Sequence, residues 1–530
     1  MKKNIKTPLS QSDLSLKEKG IALLLLILPA LIAYWPVLSF DFVNWDDPYY
    51  VYKNDNINGL SLKHLKTLFS TQTIVMGNWH PFTMLSLAID RSIWGLNPQG
   101  YHLTNLLLHL LNSILATALV WKLFKQKHAA LLTGMAFALH PLHIESVAWI
   151  TERKDVLYTA FYLGAWLAWT RANNGYLYYL LSLVLFSAAC LSKAMAVTLP
   201  VVILLTEYFY ANTKRLKSLI PFFILAVVFG LIGISAQKSA QAIAYQEGFT
   251  LFDNACIAGY NVWFYLSKIL WPYPLSAFYP YPEKSGNLLP LSYLLGFVAS
   301  AIAVAVTVWM MLRGHRLSAF LSAIFFVTIF PVIQLIPLGE AMAADRYTYL
   351  SSWPVFTGLF IGISRLAASR KTPEYFVLLF GLTACGLWSV GIRQRLPVWQ
   401  SGEPLWNDVI EQYPDLYFAW NNLGTLYYEK QQFDKAIPVY QKVLEMNPDY
   451  KDGHNNLGSI FATRQSYDSA IVHFEKAVQL DTNYIAAIFN LGYAYSLKGR
   501  TTEGLPMLQK AARNGHQHAQ QILTQNKLSW

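Results

Sequence analysis

Residues 21–48 read IALLLLILPALIAYWPVLSFDFVNWDDP, and this stretch decides the fold. Its apolar part, residues 21–40, follows a polar N-terminus bearing Lys2, Lys3, Lys6, Lys17 and Lys19. About 20 residues rising 1.5 Å each suffice to cross a bilayer. A cleaved signal peptide would have a shorter core and a small-x-small cleavage site. Residues 1–20 therefore read as a cytoplasmic N-terminus and the apolar run as a retained first span. The run leads into adjacent carboxylates, Asp46 and Asp47, with Asp41 before them and Phe40, Phe42, Trp45, Tyr49 and Tyr50 around them. Aromatics at that depth are ordinary interfacial anchors. A doubled acid is costly there unless it faces water or a polar cavity, so the loop reads as part of a site.

The composition agrees. The 530 residues are 54% hydrophobic and only 13% charged, which cannot cover a soluble surface and points to a polytopic membrane protein. The net charge of +11 fits cytoplasmic loops under the positive-inside bias. A nucleic-acid role would need those residues gathered on one soluble face, and they are not. Cys190, Cys256 and Cys385 lie in apolar runs without metal or disulfide spacing.

Working outward, the pattern predicts about eleven spans between residues 21 and 395. They fall near residues 21–40, 101–124, 129–150, 156–170, 218–236, 291–312, 317–337 and 375–391, with two more flanking 191–200 and one ending near Arg365. Long loops occupy 40–100 and 236–290. Residues 81–94 suit a helix lying along the interface. Residues 255–271 read as an interfacial or re-entrant helix, and WPYPLSAFYPYP (271–282) is too rich in proline for a regular one. The basic segments 213–217 and 313–316 mark the cytoplasmic side. By parity, Asp46, Asp47, residues 152–155, Lys193, Asp345, Arg346 and the C-terminus then lie outside the cytoplasm.

From residue 403 the composition changes. Asn422-Leu423-Gly424 recurs as Asn456-Leu457-Gly458 and Asn490-Leu491-Gly492, at intervals of 34 residues. Tyr427, Phe461 and Tyr495 share one phase, and Ala436, Ala470 and Gly504 another. That is the tetratricopeptide pattern, with units at about 417–450, 451–484 and 485–518 and a capping tail. The third unit departs most, with Gly504 and Pro506 where helix formers are expected. The fold class is all-α: a membrane bundle followed by an α-solenoid over residues 403–530.

The non-cytoplasmic loops also carry Glu145, Glu152, Arg153, Lys154, Asp155, Lys193, Asp345 and Arg346. A carboxylate among several cations suits a hydroxyl nucleophile on one side and an anionic leaving group on the other. The carboxylate takes the hydroxyl proton. Arginine and lysine stabilise charge on a departing phosphate. Adjacent residues cannot point the same way, so one of Asp46 and Asp47 is the base. Pro48, which restricts the residue before it, favours Asp47. Bland alternatives stand beside these readings. Residues 151–155 could be a solvated, self-paired turn. Glu145 could be interfacial, and Lys193 could snorkel. Asn422, Asn456 and Asn490 either line an acceptor groove or cap and pack the stack. His80, His140 and His143 lack the spacing of a closed metal site. The pattern fixes no cofactor and leaves a divalent cation open.

FVNWDDPYYVYKN, WHPFTMLSLAID, HPLHIESVAWITERKDVLY, LSKAMAVTLP and ADRYTYL, followed by tetratricopeptide units, resemble the transmembrane-and-tetratricopeptide-containing (TMTC-type) proteins. These are similar to the protein O-mannosyltransferases of the GT-C glycosyltransferase class. The resemblance implies transfer of a sugar, mannose in animal members, from a polyprenyl-phosphate donor to Ser or Thr of a protein. It carries the family's catalytic acidic motif onto Asp46 and Asp47, and implies a multi-pass inner-membrane protein with extracytoplasmic repeats, periplasmic in a bacterium. The rivals are the same chemistry on a lipid or glycan acceptor, and a non-enzymatic scaffold acting through the repeats.

Overall fold

The structure is a computed structural model and describes residues 15–212, 215–239, 248–337 and 339–530. Most of the N-terminal cytoplasmic segment (1–14), residues 213–214 of the basic loop and residues 240–247 of the second long loop lie outside the described residues. Two compact units divide the chain, Met1–Ser401 and Gly402–Trp530.

In the first unit every expected span contains a helix: Leu16–Tyr34, Pro98–Phe124, Lys127–Leu139, Arg153–Arg171, Tyr176–Ser192, Leu199–Tyr210, Ile220–Ser239, Leu291–Leu312, Arg316–Ile329, Ser352–Ser369 and Glu374–Arg395. Among the described residues five stretches are long and apolar enough to cross a membrane: Leu16–Ser39, Pro98–Phe124, Leu216–Ser239, Leu291–Leu312 and Tyr375–Trp399. Local chemistry sets the ends. Ser15 and Glu18 close a capping box on the first helix. Asn97 caps the second, with Pro98 at its first position, and Lys125 ends it in a left-handed conformation. The chain then turns back so closely that a Cβ on Gly134 would lie 1.7 Å from Thr117 Oγ1.

One expectation changes. The third span does not reach residue 150, because its helix ends at Leu139. Pro141 holds His140 in an extended conformation. The chain then folds into three short turns, Pro141–His143, Ile144–Ala148 and Ile150–Glu152. This compact loop, not a membrane helix, carries Glu145 and Glu152. The helix expected at 255–271 is present as Leu251–Leu270, opened by a Thr250–Asp253 capping box. A Cβ on its Gly259 would lie 2.4 Å from the Cα of Phe297, so it packs backbone to backbone on Leu291–Leu312. The proline-rich stretch that follows is irregular, as expected. Its one short strand, Tyr279–Pro280, pairs antiparallel with Ala341–Ala343. The helix Pro81–Trp94 has the bounds that the sequence predicts and buries Thr83, Met84, Leu87, Ala88 and Asp90.

The second unit is a helical stack. Three pairs follow in register: Tyr417–Glu429 with Phe433–Met446, Lys451–Thr463 with Tyr467–Leu480, and Ile485–Leu497 with Thr501–Arg513. Gly402–Gln412 precedes them and Gln517–Gln525 caps them. Gly424 faces the Tyr440 ring and Gly458 the Phe474 ring, at 2.9 and 2.8 Å from a built Cβ. In the third pair Gly492 meets the Gly504 carbonyl at 2.9 Å instead. Two glycines let the backbones touch, which explains Gly504. The Asn residues work within the stack. Asn456 Nδ2 donates to Asn421 Oδ1 (3.2 Å), Asn490 Nδ2 to Asn455 Oδ1 (2.9 Å), and Asn422 Nδ2 to the Phe418 carbonyl (2.8 Å). The groove reading of Asn422, Asn456 and Asn490 therefore gives way to the packing one, because these amide donors are already engaged.

Candidate functional site

Residues 43–47 are held against the loop that opens the helix Arg153–Arg171. Asp47 makes that attachment. Its carboxylate accepts the Val43 N–H (2.9 Å), the Thr151 N–H (3.1 Å) and the Thr151 hydroxyl. It is 1% exposed. Burial pushes its pKa up to about 7, against those donors. With both oxygens engaged, Asp47 clamps this loop to Thr151, an arrangement that speaks against the lean toward it as the base. The Asp46 side chain keeps 15% of its surface and pairs with Lys154 at 3.6 Å. Burial, helped by Glu152, raises its pKa; Lys154 and Arg346 pull the other way.

Glu152 is the centre of the charges. Its carboxylate lies 3.0 Å from Lys154 Nζ, 3.3 Å from Arg346 Nε and 3.9 Å from Lys193 Nζ. Burial acts to raise its pKa, yet the three cations together outweigh it and hold Glu152 below the ordinary carboxylate range. Each cation has a second support. Arg346 is fixed by Glu145, which accepts both its backbone N–H (2.9 Å) and its guanidinium. Lys193 donates to Asp155, whose carboxylate also receives Ser146 Oγ at 3.3 Å. Lys154 sits over the Tyr50 ring at 5.1 Å, and Arg346 over Trp149 at 5.3 Å. Trp149 in turn stacks between Trp45 (4.7 Å) and Trp399 (5.4 Å).

The arrangement has a polarity. The supporting acids Glu145, Glu152 and Asp155 are enclosed, at most 2% exposed. The cations Lys154, Lys193 and Arg346 keep 10%, 15% and 14% of their side-chain surface. Enclosed acids thus back cations that are more exposed than they are, and one of these, Lys154, also pairs with Asp46. Three such cations can bind an anion with several oxygens and stabilise charge that develops on it.

Two candidates do not join this cluster. Arg153 is fully buried and points the other way. It donates to Asp90 (2.6 Å), Ser86 (2.7 Å), the Tyr101 carbonyl (2.9 Å) and Asn105. Consecutive helical residues diverge by about 100°, and Asp90 from the helix Pro81–Trp94 claims this one. Its reading as a phosphate ligand is corrected to a strut. Asp345 does not orient Arg346. It accepts the Tyr279 hydroxyl at 2.9 Å, and burial raises its pKa to about 8. Sequence reasoning missed Thr151, Trp149 and the rings beneath the cations. Thr151 and Trp149 lie beside motifs already quoted, but only the fold shows what they face. His80 stacks on Tyr50, apart from the other two; His140 packs on Trp388 and lies 6.2 Å, ring to ring, from His143, which meets Ser352.

Comparison with known proteins adds an independent result. Residues 81–237 match the dolichyl-phosphate-mannose-protein mannosyltransferase family, and 417–450 and 458–499 match tetratricopeptide repeat families. The chain is 28% identical over 221 residues to protein O-mannosyl-transferase TMTC3 of Homo sapiens, covering 39% of this chain and 23% of that protein. It is 34% identical over 124 residues to protein O-mannosyl-transferase Tmtc1 of Drosophila melanogaster, covering 23% and 14%. The matched part thus spans less than a quarter of these relatives' own length. Among solved structures, MamA MSR-1 C2 is 30% identical over 21% of this chain and 64% of that one, with a TM-score of 0.19. In its motifs, in its mannosyltransferase-like region and in its repeats, the chain is similar to the TMTC-type proteins.

Proposed function

We propose that the chain is a membrane glycosyltransferase of the GT-C type. It moves a sugar, mannose by analogy with the relatives' names, from a polyprenyl-phosphate-linked donor to a Ser or Thr hydroxyl of a polypeptide held by the repeats. The observation that carries this reading is the cluster of three cations backed by buried acids, one of which, Lys154, pairs with Asp46. The family match supports the reaction class.

The donor phosphate binds Lys154, Lys193 and Arg346. Lys154 bridges Glu152 and Asp46, so a phosphate that engages it draws it from Asp46 and frees the base. Asp46 then takes the acceptor hydroxyl proton. The hydroxyl oxygen forms a bond to the anomeric carbon as the carbon–oxygen bond to phosphate breaks. Charge on the departing phosphate is met by the three cations. Phosphate is already a good leaving group, so the paired acid of a glycoside hydrolase is unnecessary. One displacement inverts the anomeric configuration. The site lies on the extracytoplasmic side, where such donors present their sugars to envelope proteins.

The test uses purified chain in liposomes, a radiolabelled polyprenyl-phosphate sugar and an envelope-protein extract. Label on Ser or Thr, with inverted linkage, is the expected result. Label on lipid or glycan would replace the protein acceptor while keeping the chemistry. No transfer with any donor, alongside partner capture through the repeats, would leave the scaffold reading.

A further inference from the structure

Beside the ion cluster lies a layer of polar side chains that the transfer chemistry does not use. All are buried, and they come from separate segments. On the helix Pro98–Phe124, Asn112 Nδ2 donates to the Val156 carbonyl (2.8 Å) and to the Tyr349 hydroxyl (3.1 Å). The Tyr349 hydroxyl lies 2.8 Å from His109 Nδ1, and His109 Nε2 lies 3.0 Å from the Ala138 carbonyl. A carbonyl can only accept, so Nε2 carries the hydrogen and Nδ1 accepts from Tyr349. The chain of bonds has one direction, from Asn112 through Tyr349 and His109 to Ala138. Next to it, His143 Nδ1 donates to the Phe137 carbonyl (2.7 Å) and Nε2 meets Ser352 Oγ at 3.1 Å.

Each anchored residue is close in sequence to an ion of the site. Val156 follows Lys154 and Asp155, Tyr349 is three residues after Arg346, and His143 is two before Glu145. Glu145 and Arg346 then close on each other through both a backbone and a side-chain bond. A shift of about 1 Å in such a constellation can cost a hundredfold in rate.

We infer that this layer is a brace and that Tyr349 is its positioning residue. Its hydroxyl ties the Arg346 segment to the helix Pro98–Phe124 through His109 and Asn112, and Asn112 in turn holds the helix start that carries Lys154, which together set where Arg346 meets Glu145. The hydroxyl both donates and accepts, which no apolar side chain of that shape can replace. The catalytic consequence rests on the proposed transfer reaction; the mechanical one does not.

The test is a double-mutant cycle on the full chain in detergent. Unfolding midpoints of Glu145→Gln, Arg346→Gln and the pair give the coupling between the two residues, with and without Tyr349→Phe. The brace predicts that Tyr349→Phe removes about half of that coupling or more. It also predicts that Tyr349→Phe lowers kcat/KM about tenfold, with the donor KM raised, and that this loss disappears in the Arg346→Gln background. Unchanged coupling, with equal losses in both backgrounds, would overturn the inference. If Tyr349→Phe does not fold, Ser352→Ala carries the same measurement from the His143 side. If the wild type moves no sugar, the proposed function fails by itself, and the coupling from unfolding midpoints still decides the brace.

Discussion

Asp46→Asn is expected to lower the transfer rate by about 10²–10⁴-fold while leaving the unfolding midpoint unchanged, because it removes a general base and little else. The Asp46 side chain is partly open, and Lys154 is its ion-pair partner. Asp47→Asn is expected to behave differently. Asp47 accepts three hydrogen bonds on two oxygens. An amide turns one of those oxygens into a donor facing another donor, so activity and unfolding midpoint fall together. Intact folding with lost transfer in Asp47→Asn, and near-normal transfer in Asp46→Asn, would restore the assignment that Pro48 favours. The pH dependence gives a second check. Burial and Glu152 raise the pKa of Asp46 against Lys154 and Arg346. The base must be ionised to work. Activity therefore falls as pH drops through a midpoint above the ordinary carboxylate value of about 3.9. Asp46→Asn removes that acid limb from whatever rate remains.

The second large effect concerns folding. Arg153→Leu leaves Asp90 charged, buried and without its cation. Breaking a buried pair from one side costs about 3–5 kcal/mol. Ser86, Asn105 and the Tyr101 carbonyl lose a donor as well. A large drop in unfolding midpoint is expected, with the donor KM of any folded fraction unchanged. Pairing Arg153→Leu with Asp90→Leu should recover much of the stability, since the stranded charge is gone. A raised donor KM at normal stability would return Arg153 to the phosphate site.

Much of the architecture was legible because periodicity is local. The 34-residue repeat, the membrane-length runs and the irregular proline-rich stretch are all carried by neighbouring residues. The acidic loop and Glu152, Lys154, Lys193 and Arg346 were legible as a set, since charges beside apolar runs need a reason. Direction was not legible. Arg153 and Lys154 are adjacent, yet one is claimed by Asp90, 63 residues away, and the other turns to Asp46. Asp47 reads as a base in sequence, and Thr151, 104 residues away, holds its carboxylate. Asp345 stands next to Arg346 but serves Tyr279. Such choices depend on partners that only the fold brings close. The brace around Tyr349 is invisible in sequence for the same reason.

The central claim is that sugar leaves its phosphate and joins a hydroxyl in one step at this site. The most direct measurement is a single-turnover reaction of the purified chain with labelled donor and acceptor, counting sugar transferred and polyprenyl phosphate released. Equal amounts of both are expected, with neither formed above background by Asp46→Asn. Release of polyprenyl phosphate without transfer, or equal yields from wild type and Asp46→Asn, would contradict it.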